Sequence, residues 1–180
     1  MSSPVLPIAY PLDDFYAQAG RALPPIELVE GDAVPEPYKS LLVHQDDMTP
    51  TLEKFHRQRI HLEVLSRQQR DDFYFREVVL LLDKTDKPVE FGAIKINLAL
   101  FPLAARKEIL EECRPLGTLL ADYVITHTSR PKAFLRIQSD DFINASLKLD
   151  RSHWLYGRRN TLWDAQQRPL AEIIEILPPG

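Results

Sequence analysis

The feature that most constrains the fold is a pair of nearly unbroken apolar runs separated by a short polar turn. The first run is YFREVVLLL at residues 74–82, the turn is DKTDK, and the second run is PVEFGAIKINL at residues 88–98. Runs rich in β-branched and aromatic residues and bounded by turn residues are typical of paired strands. We therefore predict a long antiparallel hairpin over residues 74–98.

Helical spacing follows this hairpin. Pro102 suits the first turn of one helix, and a second helix is predicted to begin at Pro115. The apolar residues that define the first helix are Leu103, Ile109, Leu110 and Cys113. Strand patterning returns at Ala133–Gln138, and again at Trp154–Trp163 and Pro169–Leu177, which predict a second hairpin. Because the hairpins flank the helices without alternating singly with them, we predict an α+β fold with an antiparallel sheet.

Prolines are concentrated ahead of these elements, with seven in the first 37 residues, Pro4 among them. Each proline fixes φ and removes a backbone donor. Residues 1–40 are therefore predicted to form an extended or turn-rich arm, with one short helix around Asp13–Ala22. The ordered domain is predicted to span residues 41–180.

Two further elements are predicted between the arm and the first hairpin. Thr49 suits the N-cap and Pro50 the first position of a short helix that would turn Leu52 and Phe55 inward. Alternation of apolar and polar residues over 60–64 predicts a half-buried strand.

The composition excludes several classes of protein. With 180 residues, 44% hydrophobic residues and a formal net charge of −4, the chain is typical of one globular domain without general affinity for nucleic acid. No apolar run approaches the ~18 residues of a membrane-spanning helix, so membrane insertion is not expected. The single cysteine, Cys113, favours a reducing, cytoplasmic setting. Phosphate-binding glycine loops and metal-ligand motifs are absent from the sequence, so no cofactor and no metal are predicted.

Charged residues interrupt the apolar strands at a few positions. Arg76 shares its predicted strand face with apolar neighbours, so its guanidinium needs an anionic partner. That partner is either an internal carboxylate, such as Glu77 or Glu90, or the carboxylate of a ligand. Glu172 and Glu175 lie three residues apart in the last strand, so only one of them faces the core and the other is expected to be solvated.

The same alternation applies to the paired arginines Arg158 and Arg159. One is predicted to point inward, toward the C-terminal glutamate or a ligand, and the other toward solvent. We take Arg158 as the inward arginine and as a candidate substrate-binding residue.

Together with their surroundings, these residues resemble the chorismate–pyruvate lyase family. The resemblance runs from about Leu41 to Pro178, and its pieces occur in the family's order. The pieces are LLVHQDDMTPTLEKF, FYFREVVLLL, PVEFGAIKI, RPLGTLL, WLYGRRNTLWD and EIIEILPP. PLG before a helix, W-x-x-G-R-R and the terminal glutamate strand are fairly specific as a set, whereas each piece alone is weak. The resemblance implies a six-stranded antiparallel sheet with helices over one face and a ligand buried inside.

The resemblance also implies an activity and a site. The reaction is the elimination of pyruvate from chorismate to give 4-hydroxybenzoate, at the entry to ubiquinone or a related pathway, and it needs no cofactor. Carried over by matching positions, Arg76 holds the substrate carboxylate and Glu175 is the catalytic glutamate. Met48 lies in a flap over the ligand, and the backbone amides of Leu116 and Gly117 face it.

Alternatives remain open. Glu175 aligns with the family glutamate by its flanking ILP, whereas Glu172 keeps the strand parity. Typical lyases also have an arginine directly after the glycine that matches Gly92, where this chain has Ala93. The alternative function is therefore a non-catalytic module that binds a small carboxylate, similar to the effector-binding domains of some bacterial transcription regulators. A third alternative is an interaction protein that uses the proline-rich arm, and the oligomeric state stays open.

Overall fold

The computed structural model describes residues 6–180, so the part of the predicted arm at residues 1–5, with Pro4, lies outside the described residues. Within residues 6–180, seven strands form one sheet. They are β1 (Ile26–Val29), β2 (Ile60–Arg70), β3 (Phe73–Leu82), β4 (Pro88–Asn97), β5 (His127–Gln138), β6 (Trp154–Asp164) and β7 (Pro169–Ile176). Their order across the sheet is β1-β5-β6-β7-β4-β3-β2, and every neighbouring pair is antiparallel.

Six α-helices connect these strands in the described part of the chain. They are α1 (Leu12–Gln18), α2 (Tyr38–Leu42), α3 (Met48–His56), α4 (Leu103–Glu111), α5 (Leu116–Asp122) and α6 (Asp141–Leu147). None of them is long and apolar enough to cross a membrane. The predicted α+β class with an antiparallel sheet is confirmed.

The two predicted hairpins are present. In the β3–β4 hairpin Arg76 lies opposite Ile94, and in the β6–β7 hairpin Arg158 lies opposite Glu175. The half-buried strand predicted at residues 60–64 is longer than expected, because β2 pairs with β3 along its whole length to Arg70.

The predicted count of six strands is wrong, because the arm contributes a seventh. Residues Ile26–Val29 pair with the outer edge of β5, with Ile26 opposite Ile137. The segment is extended, as expected. It becomes an edge strand because it pairs with the backbone N–H and C=O groups along the outer edge of β5. Four residues are too few for the strand period to stand out in the sequence.

The prediction that helices cover one face of the sheet is also wrong. Helices α3, α4 and α5 pack against one face, which we call the site face, and α1 and α6 pack against the other, which we call the arm face. Val78 and Leu80 point to the site face, whereas Phe75 and Val79 point to the arm face. An apolar run with little alternation is what a strand buried on both faces requires.

Helix α3 begins two residues earlier than predicted. Its N-cap is Asp47, whose backbone is extended, so Thr49 already lies inside the first turn. Leu52 is buried as expected, whereas Phe55 is 52% exposed.

The buried stripe of α4 also differs from the prediction. Ala105 and Ile109, one turn apart, are the buried residues of this helix. Leu103 and Leu110 lie on the opposite side of the helix and are exposed, and Cys113 is exposed beyond its end.

Candidate ligand-binding site

A cavity of about 70 Å³ lies between the site face of the sheet and the N-terminal ends of α3 and α5. Its floor comes from β2, β3, β4, β6 and β7, and its roof includes Asp47–Thr49 and Pro115–Gly117. A single water needs roughly 10–15 Å³ of such space, so the cavity has room for several waters or a small organic molecule.

Five of the predicted site residues line this one cavity: Arg76, Glu175, Met48, Leu116 and Gly117. They come from two strands and two helices that are far apart in the sequence. Their roles toward a ligand stay predictions.

Two glycines open the space. Gly92 lies opposite both Glu175 and Val78 in the middle of the floor, and a Cβ there would overlap the carbonyl oxygen of Ile174. Gly117 lies in the roof, where a Cβ would come within 2.9 Å of the Thr49 side chain. Gly92 therefore lets β4 lie close to β7, and Gly117 lets the end of α5 lie close to α3, because neither position carries a side chain.

Ala93 occupies the position at which typical lyases have an arginine. Its side chain packs in the core of the arm face and is 1% exposed, because strand alternation turns it away from its neighbour Gly92. The cavity therefore gains no side-chain charge from this position.

Arg76 lines the cavity and forms no ion pair within residues 6–180, although Tyr74 and Glu112 lie near enough to its guanidinium to favour its charged form. It is 2% exposed, its Nη1 donates to the carbonyl oxygen of Ile109 at 3.3 Å, and its Nε has no partner among residues 6–180. Burial lowers the pKa of this guanidinium. The predicted internal partner is wrong: Glu77 points to the arm face, and neither it nor Glu90 forms an ion pair with Arg76 in the described structure.

Glu175 is paired with Arg158 across β6 and β7, and both side chains are buried. Arg158 Nη1 also donates to the carbonyl oxygen of His44 at 3.1 Å, and its Nη2 donates to that of Asp46 at 2.8 Å. Arg158 does not line the cavity. It joins the sheet to the segment that leads into α3, and its predicted contact with a ligand stays a prediction.

Glu172 and Arg159 form a second pair on the arm face. Arg159 Nη1 donates to Glu172 Oε2 at 3.0 Å, and the hydroxyl of Thr161 donates to the same oxygen at 2.7 Å. Arg159 is 5% exposed. The expectation that one member of each pair would be solvated is therefore wrong, because α1 and its neighbours cover this face too.

Glu90 is a cavity residue that the sequence indicated only as a partner for Arg76. It is 5% exposed, lines the cavity, and makes no hydrogen bond or ion pair within residues 6–180. Burial raises the pKa of Glu90 well above its ordinary value, the nearby Glu175 raises it further, and Arg158 opposes the shift. Its signal in the sequence was a charge inside the apolar run PVEFGAI.

The roof is tied to the sheet at its rim. His127, at the start of β5, contacts Asp47 at 2.6 Å through Nε2 and the carbonyl oxygen of Ile125 at 2.8 Å through Nδ1. The hydrogen bond to Asp47 raises the pKa of His127. The other oxygen of Asp47, Oδ1, is buried without a partner in the described chain and borders the cavity.

In the part of the chain that the structure describes, no cluster of three or more His, Cys, Asp or Glu side chains could hold a metal ion. Several polar groups of the cavity lining can meet a ligand. They are the Arg76 guanidinium, the carboxyl groups of Glu90 and Glu175, and the side-chain oxygens of Asn160 and Asp47 that have no partner within residues 6–180.

No protein-family model and no curated protein sequence matches the chain. Several solved structures share its fold. PhnF from Mycobacterium smegmatis has a TM-score of 0.57 at 13% identity, over 76% of this chain and 65% of PhnF. The effector domain of PhnF has a TM-score of 0.53 at 13% identity, over 73% of this chain and 87% of the domain. The ligand-binding domain of a GntR-family transcriptional regulator from Bordetella bronchiseptica has a TM-score of 0.49 at 10% identity, over 65% of this chain and 84% of that domain.

These likenesses show the fold alone. The chain shares its fold with an effector domain, which confirms the fold that the sequence resemblance implied for regulator domains. The prediction that the chain is an enzyme of the chorismate–pyruvate lyase family is contradicted, because the fold is shared with a regulator's effector domain.

Proposed function

We propose that this chain is a module that binds a small carboxylate in its cavity without converting it. The observation that carries the proposal is Arg76, whose guanidinium is buried, lines the cavity, forms no ion pair and keeps its Nε without a partner within residues 6–180. An unpaired buried charge is costly, and a planar guanidinium pairs best with a carboxylate or a similar planar anion. A bound carboxylate would remove this cost.

The rest of the lining supports an acid with a small apolar body. Leu62, Val78, Leu80, Ile94 and Leu120 surround the polar groups. Apolar walls with a few convergent polar groups are typical of sites for small organic ligands. The acids implied by the sequence resemblance, 4-hydroxybenzoate and chorismate, are candidates.

The fold supports a sensing role. The effector domain of PhnF has the same architecture, and its description as an effector domain fits a protein part that recognises a small molecule. We propose the same use of the fold here, with the cavity as the recognition site.

The test is a thermal-shift screen of small carboxylates, including benzoate, 4-hydroxybenzoate and chorismate, against the parent, Arg76→Ala and the control Arg130→Ala. Arg130 is exposed and contacts Gln167 in the turn between β6 and β7, and it does not line the cavity. A ligand at a hundredfold excess over its Kd stabilises by about 2.7 kcal/mol, which for a chain of this length is a rise in Tm of roughly 5–10 °C.

At least one acid should stabilise the parent and the Arg130→Ala variant but not Arg76→Ala. The loss in binding free energy on removing Arg76 should be about 2–5 kcal/mol. The proposal fails if no acid stabilises the parent, or if the acids stabilise Arg76→Ala equally.

A further inference from the structure

Two ionisable side chains on the cavity floor form no ion pair within residues 6–180. Four charged side chains line the cavity: Asp47, Arg76, Glu90 and Glu175. Asp47 is paired with His127, and Glu175 is paired with Arg158. Within residues 6–180 this leaves the guanidinium of Arg76 and the carboxyl group of Glu90.

These two groups lie at opposite ends of the floor. In the register of β3 and β4, Arg76 is opposite Ile94 and Leu80 is opposite Glu90, so the two rows are four residues apart. At ~3.4 Å per residue the rows are separated by about 14 Å. Gly92 lies between them and places no side chain in the way.

Glu90 is the less expected of the two, because the one cationic side chain that acts on it, Arg158, makes its hydrogen bonds to other groups. The Arg158 guanidinium already donates to Glu175 and to the carbonyl oxygens of His44 and Asp46. A carboxyl group that is 5% exposed and has no protein donor must either keep its proton or meet a cation from outside.

We propose that the ligand is a small aminocarboxylate, with its carboxylate bound by Arg76 and its ammonium group bound by Glu90. This inference rests on the proposed function and deepens it, since it names the second group that the ligand must carry. Because the rows that carry the two side chains are about 14 Å apart, the carboxylate and the ammonium group of the ligand must stand apart on a linear chain, as in an ω-amino acid, and not on one carbon, as in an α-amino acid.

The pairing also predicts a proton release. In the empty cavity, burial and the neighbouring Glu175 keep Glu90 protonated, because they raise its pKa. An ammonium group stabilises the ionised carboxylate, so binding should displace about one proton from Glu90. An acid without an amino group should displace none.

The experiment is calorimetry with 4-aminobutanoate, 5-aminopentanoate and 6-aminohexanoate. Each is compared with its matched acid, which has the same carbon chain but lacks the amino group. The proteins are the parent chain, Glu90→Gln, Arg76→Ala and the control Glu63→Gln, a glutamate exposed on β2. Titrations in two buffers with different ionisation enthalpies give the number of protons released.

At least one amino acid should bind the parent and Glu63→Gln more than tenfold tighter than its matched acid, with release of about one proton. In Glu90→Gln the preference for the amino acid over its matched acid and the proton release should both disappear. The comparison of each amino acid with its matched acid is made on the parent protein, so this part of the test does not depend on whether a variant folds.

Two failures are distinguishable. If matched acids bind through Arg76 but amino acids bind no tighter, or if none of the three amino acids binds, the aminocarboxylate inference is overturned while the carboxylate site stands. If binding of every acid is indifferent to Arg76→Ala, the proposed function itself is overturned.

Discussion

Arg158 on β6 lies directly opposite Glu175 on β7, and the same guanidinium holds the carbonyl oxygens of His44 and Asp46 in the segment that enters α3. One buried ion pair thus connects the floor of the cavity to its roof. Its geometry explains why Arg158 belongs to the site without lining it.

Arg158→Ala should therefore destabilise the fold strongly. Removing one member of a buried pair leaves the other charge uncompensated and typically costs about 3–5 kcal/mol. Urea unfolding measures the change, and Arg130→Ala, at an exposed position, should stay within roughly 0.5 kcal/mol of the parent. A loss below about 1 kcal/mol for Arg158→Ala would contradict the structural role assigned to this residue.

Glu77→Gln should stabilise the protein at alkaline pH. Burial raises the pKa of Glu77 to about 7, and its Oε2 has no partner among residues 6–180. A carboxyl group with a raised folded pKa loses stability as pH rises from its unfolded value of about 4.5 through 7, because the native state binds its proton more tightly. The free energy of unfolding of Glu77→Gln should exceed that of the parent at pH 8 but not at pH 5. Equal differences at both pH values would contradict the raised pKa of Glu77.

His127→Gln should remove a different pH dependence. The contact with Asp47 raises the pKa of His127. Its stabilising contribution is fully present below the unfolded pKa of about 6.5 and is lost as pH rises through the raised folded pKa. The parent should lose this contribution across that window, whereas His127→Gln should not, and an unchanged slope in the variant would count against the pair.

Gly117→Ala should disturb the roof. The added Cβ would lie 2.9 Å from the Thr49 side chain, so α5 must move away from α3. Strain of this kind typically costs about 1–3 kcal/mol. The free energy of unfolding in urea and the affinity for carboxylates should both fall. The neighbouring change Thr118→Ala adds no atoms and should change either quantity little. A Gly117→Ala protein that matches the parent in both quantities would contradict the close approach of α5 and α3.

The strands of the sheet were predictable where a long run of residues carried a strand pattern. Residues 74–98 gave a hairpin because two apolar runs meet at one polar turn. The four residues of β1 carried too little pattern, and only the free edge of β5 defines them as a strand. Burial of the arm face was also missed. Arg159 and Glu172 form an ion pair there, and in the sequence two charged residues are typical of a solvent-exposed face and not of a buried one.

The site was predictable in part. The resemblance placed Arg76, Met48 and Gly117, and the structure brings them to one cavity. Glu90 was missed as a cavity residue because its position depends on the strand register and on the gap left by Gly92. Neither feature can be derived from spacing along the chain.

The most direct test of the carboxylate site follows the Arg76 Nε–H group by nitrogen-15 NMR, with the signal assigned from Arg76→Lys. This donor has no partner within residues 6–180, whereas Arg158 Nε donates to Glu175 and serves as an internal reference. Titration with pentanoate, benzoate and 4-hydroxybenzoate in turn should shift the Arg76 signal with at least one acid, in a saturable manner, and leave the Arg158 signal nearly unchanged. An acid that saturates other signals of the protein without moving that of Arg76, or the failure of all three to move it, would contradict the account.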